Sequence, residues 1–158
     1  MPRISYHQLP RDAMRFVSHA ARRWRDIVAA MANYLQGIDS LMLYVSDVKA
    51  SMAFYETLGF VRVALKKDYG AVACGAMELH FHDKNLVPGR YFKKESLAEP
   101  KGAGLYIYVA VAQIDAYYRH LVDAGVVTST EPRDWPWGNR EFVVRDLDKY
   151  KLVFYEKL

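Results

Sequence analysis

The chain has 158 residues, 52% of them hydrophobic and 14% aromatic, and this length suits one globular domain with a substantial core. Cys74 is its only cysteine, which excludes an intrachain disulfide and a cysteine-based zinc site. No run of about 18 apolar residues is present, and the N-terminus lacks the apolar segment of a secretory signal. We therefore expect a cytoplasmic protein that does not span a membrane.

The formal net charge of +4 comes from the first 36 residues. They contain six arginines and only two acidic residues, Asp12 and Asp26, whereas residues 37–158 hold 16 basic and 16 acidic side chains. The body of the chain thus has no overall charge that would attract polyanions. We expect no nucleic-acid partner.

Residues 1–36 are predicted to form a basic amphipathic leader helix. Apolar residues recur at helical spacing from Val17 to Leu35, arginines fall between them, and Pro10 suits a first helical turn. We expect this helix to dock on the body of the protein or on a partner subunit. Organelle transit peptides and membrane-surface helices have the same pattern, and Met31 is an alternative start.

From Ile38 the pattern changes to strand alternation, and residues 38–60 recur as residues 104–126 at an offset of 66. Each copy predicts a strand, then an amphipathic helix, then a glycine that ends the helix. Ser46 or Asp47 is the predicted start of the first helix, and Gly59 matches Gly125. Two copies of one unit indicate a duplication with a pseudo-two-fold arrangement.

Three further strands are predicted after each helix. They cover residues 60–66, 71–74 and 77–82 in the first copy and residues 126–130, 141–145 and 150–155 in the second. The repeated unit is therefore βαβββ, which predicts an α+β domain of two modules over residues 37–158. The polar residues 83–101 are predicted to connect the modules and to form part of a cavity rim.

Two strings carry a family resemblance, LYVSDVKASMAFYETLGF in the first copy and EPRDWPWGNREFVVRDLDKYKLVFYE at the end of the second. Together they resemble the vicinal-oxygen-chelate superfamily of glyoxalases, bleomycin resistance proteins and dioxygenases, over residues 38–158. The string from Pro136 to Asp146 is most similar to the bleomycin-resistance branch. The resemblance implies that each module curls into a half-barrel and that the two half-barrels enclose a ligand cavity.

Metal-dependent members of this superfamily take ligands from the first and last strands of each module. The corresponding positions here are Ser40, Glu78, Tyr106 and Val153, and only Glu78 is a ready ligand. Valine has no lone pair, and a tyrosine phenol is protonated near neutral pH. The resemblance therefore implies a member without a metal or another cofactor.

One pattern argues against a metal-free member. The i, i+2, i+4 spacing on a predicted strand places Glu78, His80 and His82 on one face. An improvised metal site, polar lining of the cavity and a structural histidine pair all fit this spacing. Three residues of one strand rarely converge on a metal, which favours polar lining. Cys74, on an apolar strand segment, is expected to be an inert buried thiol.

Aromatic residues are the remaining candidates for ligand binding. Seven lie near the implied cavity or its rim: Tyr69, Tyr91, Phe92, Tyr106, Tyr108, Trp135 and Trp137. Most of them suit packing, but Tyr69 and Trp137 match the positions from which the two subunits of a bleomycin resistance protein sandwich the flat part of the drug. The resemblance thus implies a homodimer that stacks a planar aromatic ligand, at about 0.5–1.5 kcal/mol per aromatic pair.

Two features depart from the drug-binding pattern. Lys66 and Lys67 precede Tyr69, whereas the drug-binding proteins are acidic around a groove for a cationic ligand, so an anionic or neutral planar compound is at least as suitable. The string DLDKYK stands where the family's turn has Asp-Gly-Asn, and Lys149 and Tyr150 are expected to alter that hairpin.

Three functions compete on these observations. The leading hypothesis is a non-enzymatic binding protein that sequesters a small planar aromatic compound, for instance an antibiotic. The second is a lyase, isomerase or dioxygenase-like enzyme of the same superfamily, with Glu78 as general base and His80 or His82 assisting. The third is an interaction or regulatory module in which the leader helix makes the contacts.

Overall fold

A strand, a helix and three further strands occur twice along the chain. The computed structural model describes residues 37–86 and 97–158, and the repeats lie in one compact unit, Asp39–Leu158. The predicted α+β fold of two βαβββ modules is confirmed. The leader helix of residues 1–36 lies outside the described residues, so it stays a prediction, as does the domain boundary at residue 37.

Module 1 (residues 40–83) consists of β1 (Ser40–Val45), α1 (Val48–Thr57), β2 (Val61–Leu65), β3 (Tyr69–Cys74) and β4 (Met77–Asp83). Module 2 (residues 106–157) consists of β5 (Tyr106–Ala110), α2 (Ile114–Asp123), β6 (Arg133–Trp135), β7 (Asn139–Arg145) and β8 (Lys151–Lys157). No helix in the described part of the chain is long and apolar enough to cross a membrane.

Each module builds one open four-stranded sheet. Sheet A has the order β1-β4-β3-β2 and sheet B the order β5-β8-β7-β6. In both sheets the first strand runs parallel to the last strand, and the remaining neighbours are antiparallel. Ser40 pairs with Glu78 in sheet A, and Tyr106 pairs with Lys151 in sheet B, so the two modules use equivalent registers.

One side of each sheet packs on the helix of its module. The buried cluster includes Leu43, Phe81 and Met52 of module 1 and Phe142, Phe154 and Leu121 of module 2. A carbon added at Gly70 would lie 2.7 Å from Met52 Sδ, so α1 lies against β3 at a distance that only glycine allows. The opposite side of each sheet is available for a functional site.

One predicted strand is wrong. A strand was predicted over residues 126–130, but this segment has only an isolated bridge between Thr128 and Val144. The outer strand of sheet B is β6, which begins at Arg133. Val126 is apolar because it packs in the core, which imitates a strand pattern in the sequence. Pro132 has no N–H to donate, and regular pairing with β7 begins directly after it.

Candidate functional site

The open side of sheet A, which we call face A, carries polar and aromatic side chains. Alternation along β4 places Glu78, His80 and His82 on this face, as predicted. Ser40 lies opposite Glu78, and Tyr69 lies opposite His82 across the β3–β4 pair. The ring of Tyr69 meets both imidazoles edge to face, with centroids 5.6 Å from His80 and 5.5 Å from His82. The candidate residues Ser40, Tyr69, Glu78, His80 and His82 thus share one surface.

A carboxylate and an imidazole are hydrogen-bonded on face A. Glu78 Oε2 and His80 Nε2 lie 2.8 Å apart, and both side chains are partly exposed. Because an ionised carboxylate only accepts, the imidazole donates from Nε2 in this arrangement. His82 Nδ1 is buried and has no hydrogen-bond partner among the described residues. The face therefore holds polar atoms suited to a ligand.

The strand registers show that Glu78 and Val153 are not equivalent positions. Glu78 pairs with Ser40 in sheet A, and the equivalent pair in sheet B is Lys151 with Tyr106. Two residues further along, His80 pairs with Met42, and the equivalent pair is Val153 with Tyr108. Module 2 thus supplies a lysine and a valine where module 1 has a glutamate and a histidine. No group of three or more histidine, cysteine, aspartate or glutamate residues in the described ranges is placed to hold a metal ion. This donor set does not fit a divalent metal.

The open side of sheet B, face B, is mainly aromatic. Tyr106 and Tyr108 are about half exposed, at 52% and 55%, and Tyr108 meets Tyr155 edge to face. Lys151 Nζ lies 4.6 Å from the centroid of the Tyr106 ring, in a cation–π contact. Face B thus presents apolar rings with a positive charge at one end.

Trp137 lies in the three-residue loop between β6 and β7. Gly138 closes this loop with a φ of 83° and donates its N–H to the Trp135 carbonyl oxygen at 3.0 Å. The Trp137 indole is 58% exposed and stacks on Trp135, with centroids 4.5 Å apart and planes 16° apart. Its Nε1–H donates to Glu141 Oε1 at 2.8 Å.

The structure therefore divides the predicted site residues between the two faces. Ser40, Tyr69 and the three residues of β4 lie on face A, whereas Tyr106 and Trp137 belong to face B. No ring contact in the described part of the chain joins Tyr69 to Trp137, so their role as a stacking pair stays a prediction. Glu141 was missed, although alternation along β7 would have placed it on the same side as its neighbour Asn139.

Cys74 requires a correction. It was expected to be buried, but the thiol is exposed, because Cys74 is the last residue of β3 and precedes the two-residue turn of Gly75 and Ala76. An apolar cavity of about 390 Å³ lies beside it, between this turn and β5 of module 2. Met77, Leu79, Ile107 and Val109 contribute to its wall.

A polar cluster joins the two modules on the other side of their boundary. Asp146 accepts hydrogen bonds from the Tyr55 hydroxyl at 3.0 Å and from the N–H groups of Asp148 and Tyr150. Asp148 accepts from the N–H and hydroxyl of Ser46. Burial raises the pKa of Asp146 to about 6, although its hydrogen bonds oppose the shift. These groups make contacts between the two modules.

Comparison with known proteins identifies relatives that share this architecture. A sequence profile of the Glyoxalase/Bleomycin resistance protein/Dioxygenase superfamily matches residues 37–154. A bleomycin resistance protein from Geobacillus stearothermophilus is 26% identical over 134 residues, which cover 78% of this chain and 98% of that protein.

Solved structures agree with the sequence match. A glyoxalase/bleomycin resistance protein/dioxygenase from Nocardioides superposes with a TM-score of 0.67 at 23% identity, covering 78% of this chain and 85% of its own. A lactoylglutathione lyase from Agrobacterium tumefaciens gives a TM-score of 0.59 at 18% identity, covering 77% and 94%. The profile match over most of the chain, together with the two βαβββ modules, shows that this protein belongs to the glyoxalase/bleomycin resistance protein/dioxygenase superfamily.

Proposed function

We propose that the protein binds a planar aromatic small molecule without a metal, between face A of one subunit and face B of the other in a homodimer. The observation that carries this proposal is the exposure of aromatic and apolar side chains on both faces, Trp137 above all. Exposed apolar surface of this kind marks binding sites and interfaces. The kinship with bleomycin resistance proteins supports the same reading.

Tyr69 and Trp137 are the proposed stacking pair. Tyr69 is held edge-on by two imidazoles, and Trp137 is held by Trp135 and Glu141, so neither ring has to be ordered by the ligand. A ring placed between them would lose water from both faces. Each subunit would then supply one side of the sandwich, which makes dimerisation a condition of binding.

The charges around the two faces favour a ligand without positive charge. Lys66 and Lys67 are exposed in the loop before Tyr69, with Asp68 between them and the tyrosine, and Lys151 lies over Tyr106 on face B. Like charges would oppose a cationic drug, and the effect grows at low salt. The preferred ligand is therefore an anionic or neutral planar compound.

A thermal-shift screen of planar compounds tests this proposal. It includes anthraquinone-2-sulfonate as an anionic probe and proflavine as a cationic one, since a ligand at 100 times its dissociation constant stabilises by about 2.7 kcal/mol. Trp137→Ala and Tyr69→Ala should each weaken binding by about 1–3 kcal/mol. Leu147→Ala, at an exposed apolar residue of the 146–150 turn, is the control and should bind normally. Affinity indifferent to Trp137→Ala would reject the proposed pair.

The homodimer is tested independently of any ligand. Sedimentation at micromolar concentration should show a species of twice the 18.2 kDa chain mass. Met42→Glu, which places a charge on the exposed apolar part of face A, should shift the protein toward monomer. A wild type that sediments only as a monomer would refute the shared site.

A second function has one observation in its favour, the 2.8 Å contact between Glu78 and His80. This pair could serve a lyase or isomerase as a general base. Elemental analysis of purified protein should find no stoichiometric divalent metal if the binding proposal is right, and chelators should leave the melting temperature unchanged. One equivalent of zinc, nickel, manganese or iron would make the enzyme the leading function.

A further inference from the structure

Three planar groups are stacked along the β6–β7 hairpin. Arg133 Cζ lies 3.7 Å from the centroid of the Trp135 ring, and the Trp137 ring lies 4.5 Å from it. Two planar groups at such distances have no room on the same side of an indole, so they cover opposite faces of Trp135. Among the described residues, both faces of Trp135 are therefore covered, whereas Trp137, at the end of the stack, is covered on one face only.

A buried carboxylate fixes the remaining freedom of Trp137. Glu141 is only 5% exposed, and its Oε1 accepts from Trp137 Nε1 at 2.8 Å and from Asn139 Nδ2 at 2.9 Å. Stacking on Trp135 fixes the plane of the Trp137 ring, and the hydrogen bond fixes its rotation within that plane.

We propose that Glu141 and Trp135 are positioning residues, which hold the Trp137 indole in its binding orientation before a ligand arrives. This inference rests on the proposed function, because Trp137 is taken there as the stacking surface. Ordering a free side chain on binding costs affinity, and a ring that is already ordered avoids that cost. Trp137 thus offers a rigid surface with a single free side.

The arrangement also limits what Trp137 can bind. Trp135 covers the inner side of the Trp137 ring, so one ligand ring can stack on Trp137, on its outer side. We therefore expect one planar ring system of the ligand to stack on Trp137. A second ring system of the same ligand would not contact the β6–β7 hairpin. Both indoles lie between Arg133 and that ligand, so the guanidinium group does not contact the ligand. Arg133 instead holds Trp135 in place through its cation–π contact.

Ligand-free NMR of the full chain tests the positioning. The indole N–H resonances are assigned with single Trp→Phe variants, and relaxation of Trp137 Nε1 should give an order parameter of about 0.8, typical of a rigid group. Glu141→Gln keeps an acceptor oxygen and should preserve this value. Glu141→Ala should lower it to below about 0.6 and remove the downfield shift of the hydrogen-bonded proton. Equal order parameters in wild type and Glu141→Ala would overturn the inference.

Binding of anthraquinone-2-sulfonate to the same variants tests the consequence. Glu141→Ala should weaken it about two- to tenfold, the cost of ordering one side chain, and Glu141→Gln should restore most of the affinity. Glu131→Ala, at an exposed carboxylate of the same module, is the matched control and should bind as wild type. A mobile ring with unchanged affinity would also overturn the inference.

Trp135 provides a second route if Glu141→Ala fails to fold. Trp135→Phe keeps an aromatic ring beneath Trp137 and should bind the probe normally, whereas Trp135→Leu should weaken it about two- to tenfold. Unchanged affinity in Trp135→Leu would contradict the role of Trp135. If Trp137→Ala itself leaves the affinity unchanged, the proposed function fails. If Trp137→Ala weakens binding but the Glu141 and Trp135 variants do not, only the positioning inference fails.

Discussion

The two modules share one topology and one register, yet they are held together differently. In module 1, Asp47 caps its own helix by accepting the Ala50 N–H. In module 2, Gln113 begins the helix in a left-handed conformation without a side-chain cap, and Glu156 of β8 accepts the N–H groups of Gln113 and Ile114 instead. The same fold therefore needs only that the first N–H groups of the helix find an acceptor, either in the helix's own cap residue or in a neighbouring strand.

The two modules also differ in the turn that precedes their last strand, where each module meets the other. The turn before β8 spans residues 146–150 and is bonded to Tyr44, Ser46 and Tyr55 of module 1. The equivalent turn before β4 has two residues, and an apolar cavity lies between it and β5. One side of the boundary is thus fixed by buried hydrogen bonds, while the other is incompletely packed.

Removing Asp146 should have the largest effect on stability. Asp146→Ala leaves the Tyr55 hydroxyl and two N–H groups buried without their acceptor, so we expect the free energy of unfolding to fall by about 3 kcal/mol. Urea unfolding at pH 4 measures the loss, because Asp146 is protonated there and removing it does not also remove the cost of its ionisation. Ala76→Ser, in the short turn of module 1, is the matched control and should stay within about 0.5 kcal/mol of wild type. Equal losses in the two variants would mean that the polar boundary is no stronger than the other.

The same carboxylate predicts an unusual pH dependence. Burial raises the pKa of Asp146 from 3.8 to about 6, so the folded protein holds this proton more tightly than the unfolded chain. Ionisation then opposes folding, and this group alone should lower the free energy of unfolding by on the order of 3 kcal/mol between pH 4 and 7.

Asp146→Asn isolates this contribution, because asparagine keeps an acceptor oxygen and does not titrate. Carboxylates with a lowered pKa act in the opposite sense, since their stabilisation is lost as pH falls. Glu156, whose pKa is lowered by the N–H groups of Ile114 and Gln113, is one of them. The difference in unfolding free energy between the variant and wild type should therefore grow in favour of the variant as pH rises through about 6. Parallel curves from pH 4 to 7 would contradict the raised pKa.

Local signals in the sequence were sufficient for most of the fold. The repeat at 66 residues identified both modules, and of the two predicted starts of the first helix, Ser46 and Asp47, the structure has Asp47 as the cap. The outer strand of sheet B was misplaced, because a core residue such as Val126 and a strand residue give the same apolar signal. Which short apolar run pairs with β7 depends on contacts distant in the chain, and local pattern does not contain them.

For the site, the alternation of side chains along a strand predicts which face a residue lies on, but not which side chains it contacts. The i, i+2, i+4 pattern correctly placed Glu78, His80 and His82 on one face. It could not indicate that Glu78 bonds to His80, or that Glu141 supports Trp137, because these contacts depend on side-chain rotation. The exposure of Cys74 follows from its place at a strand end, which the predicted strand already implied.

The different helix starts predict a smaller effect. Asp47→Ala should destabilise the protein by about 1 kcal/mol, because one N–H loses its cap. Glu156→Ala removes the acceptor of two N–H groups and should also destabilise, whereas Glu156→Gln should retain most of the stability through its amide oxygen. Thermal unfolding followed by circular dichroism measures all three. A Glu156→Ala variant as stable as wild type would show that module 2 needs no acceptor at this helix start.

The smallest expected effect concerns the turn that distinguishes module 2. Lys149 has a φ of 71°, a left-handed conformation that costs a residue with a side chain about 1 kcal/mol and costs glycine nothing. Lys149→Gly should relieve this strain, but glycine also gains entropy in the unfolded chain, so the net stabilisation should be about 0.5 kcal/mol. For a chain of this size the melting temperature would rise by roughly 1–2 °C. Lys149→Asn should behave similarly, since asparagine tolerates this conformation, whereas Lys149→Val should destabilise because its branched side chain does not. If glycine and valine had the same effect, the backbone at this position would carry no strain, and the longer turn of module 2 would be distinguished from that of module 1 by its length and its hydrogen bonds.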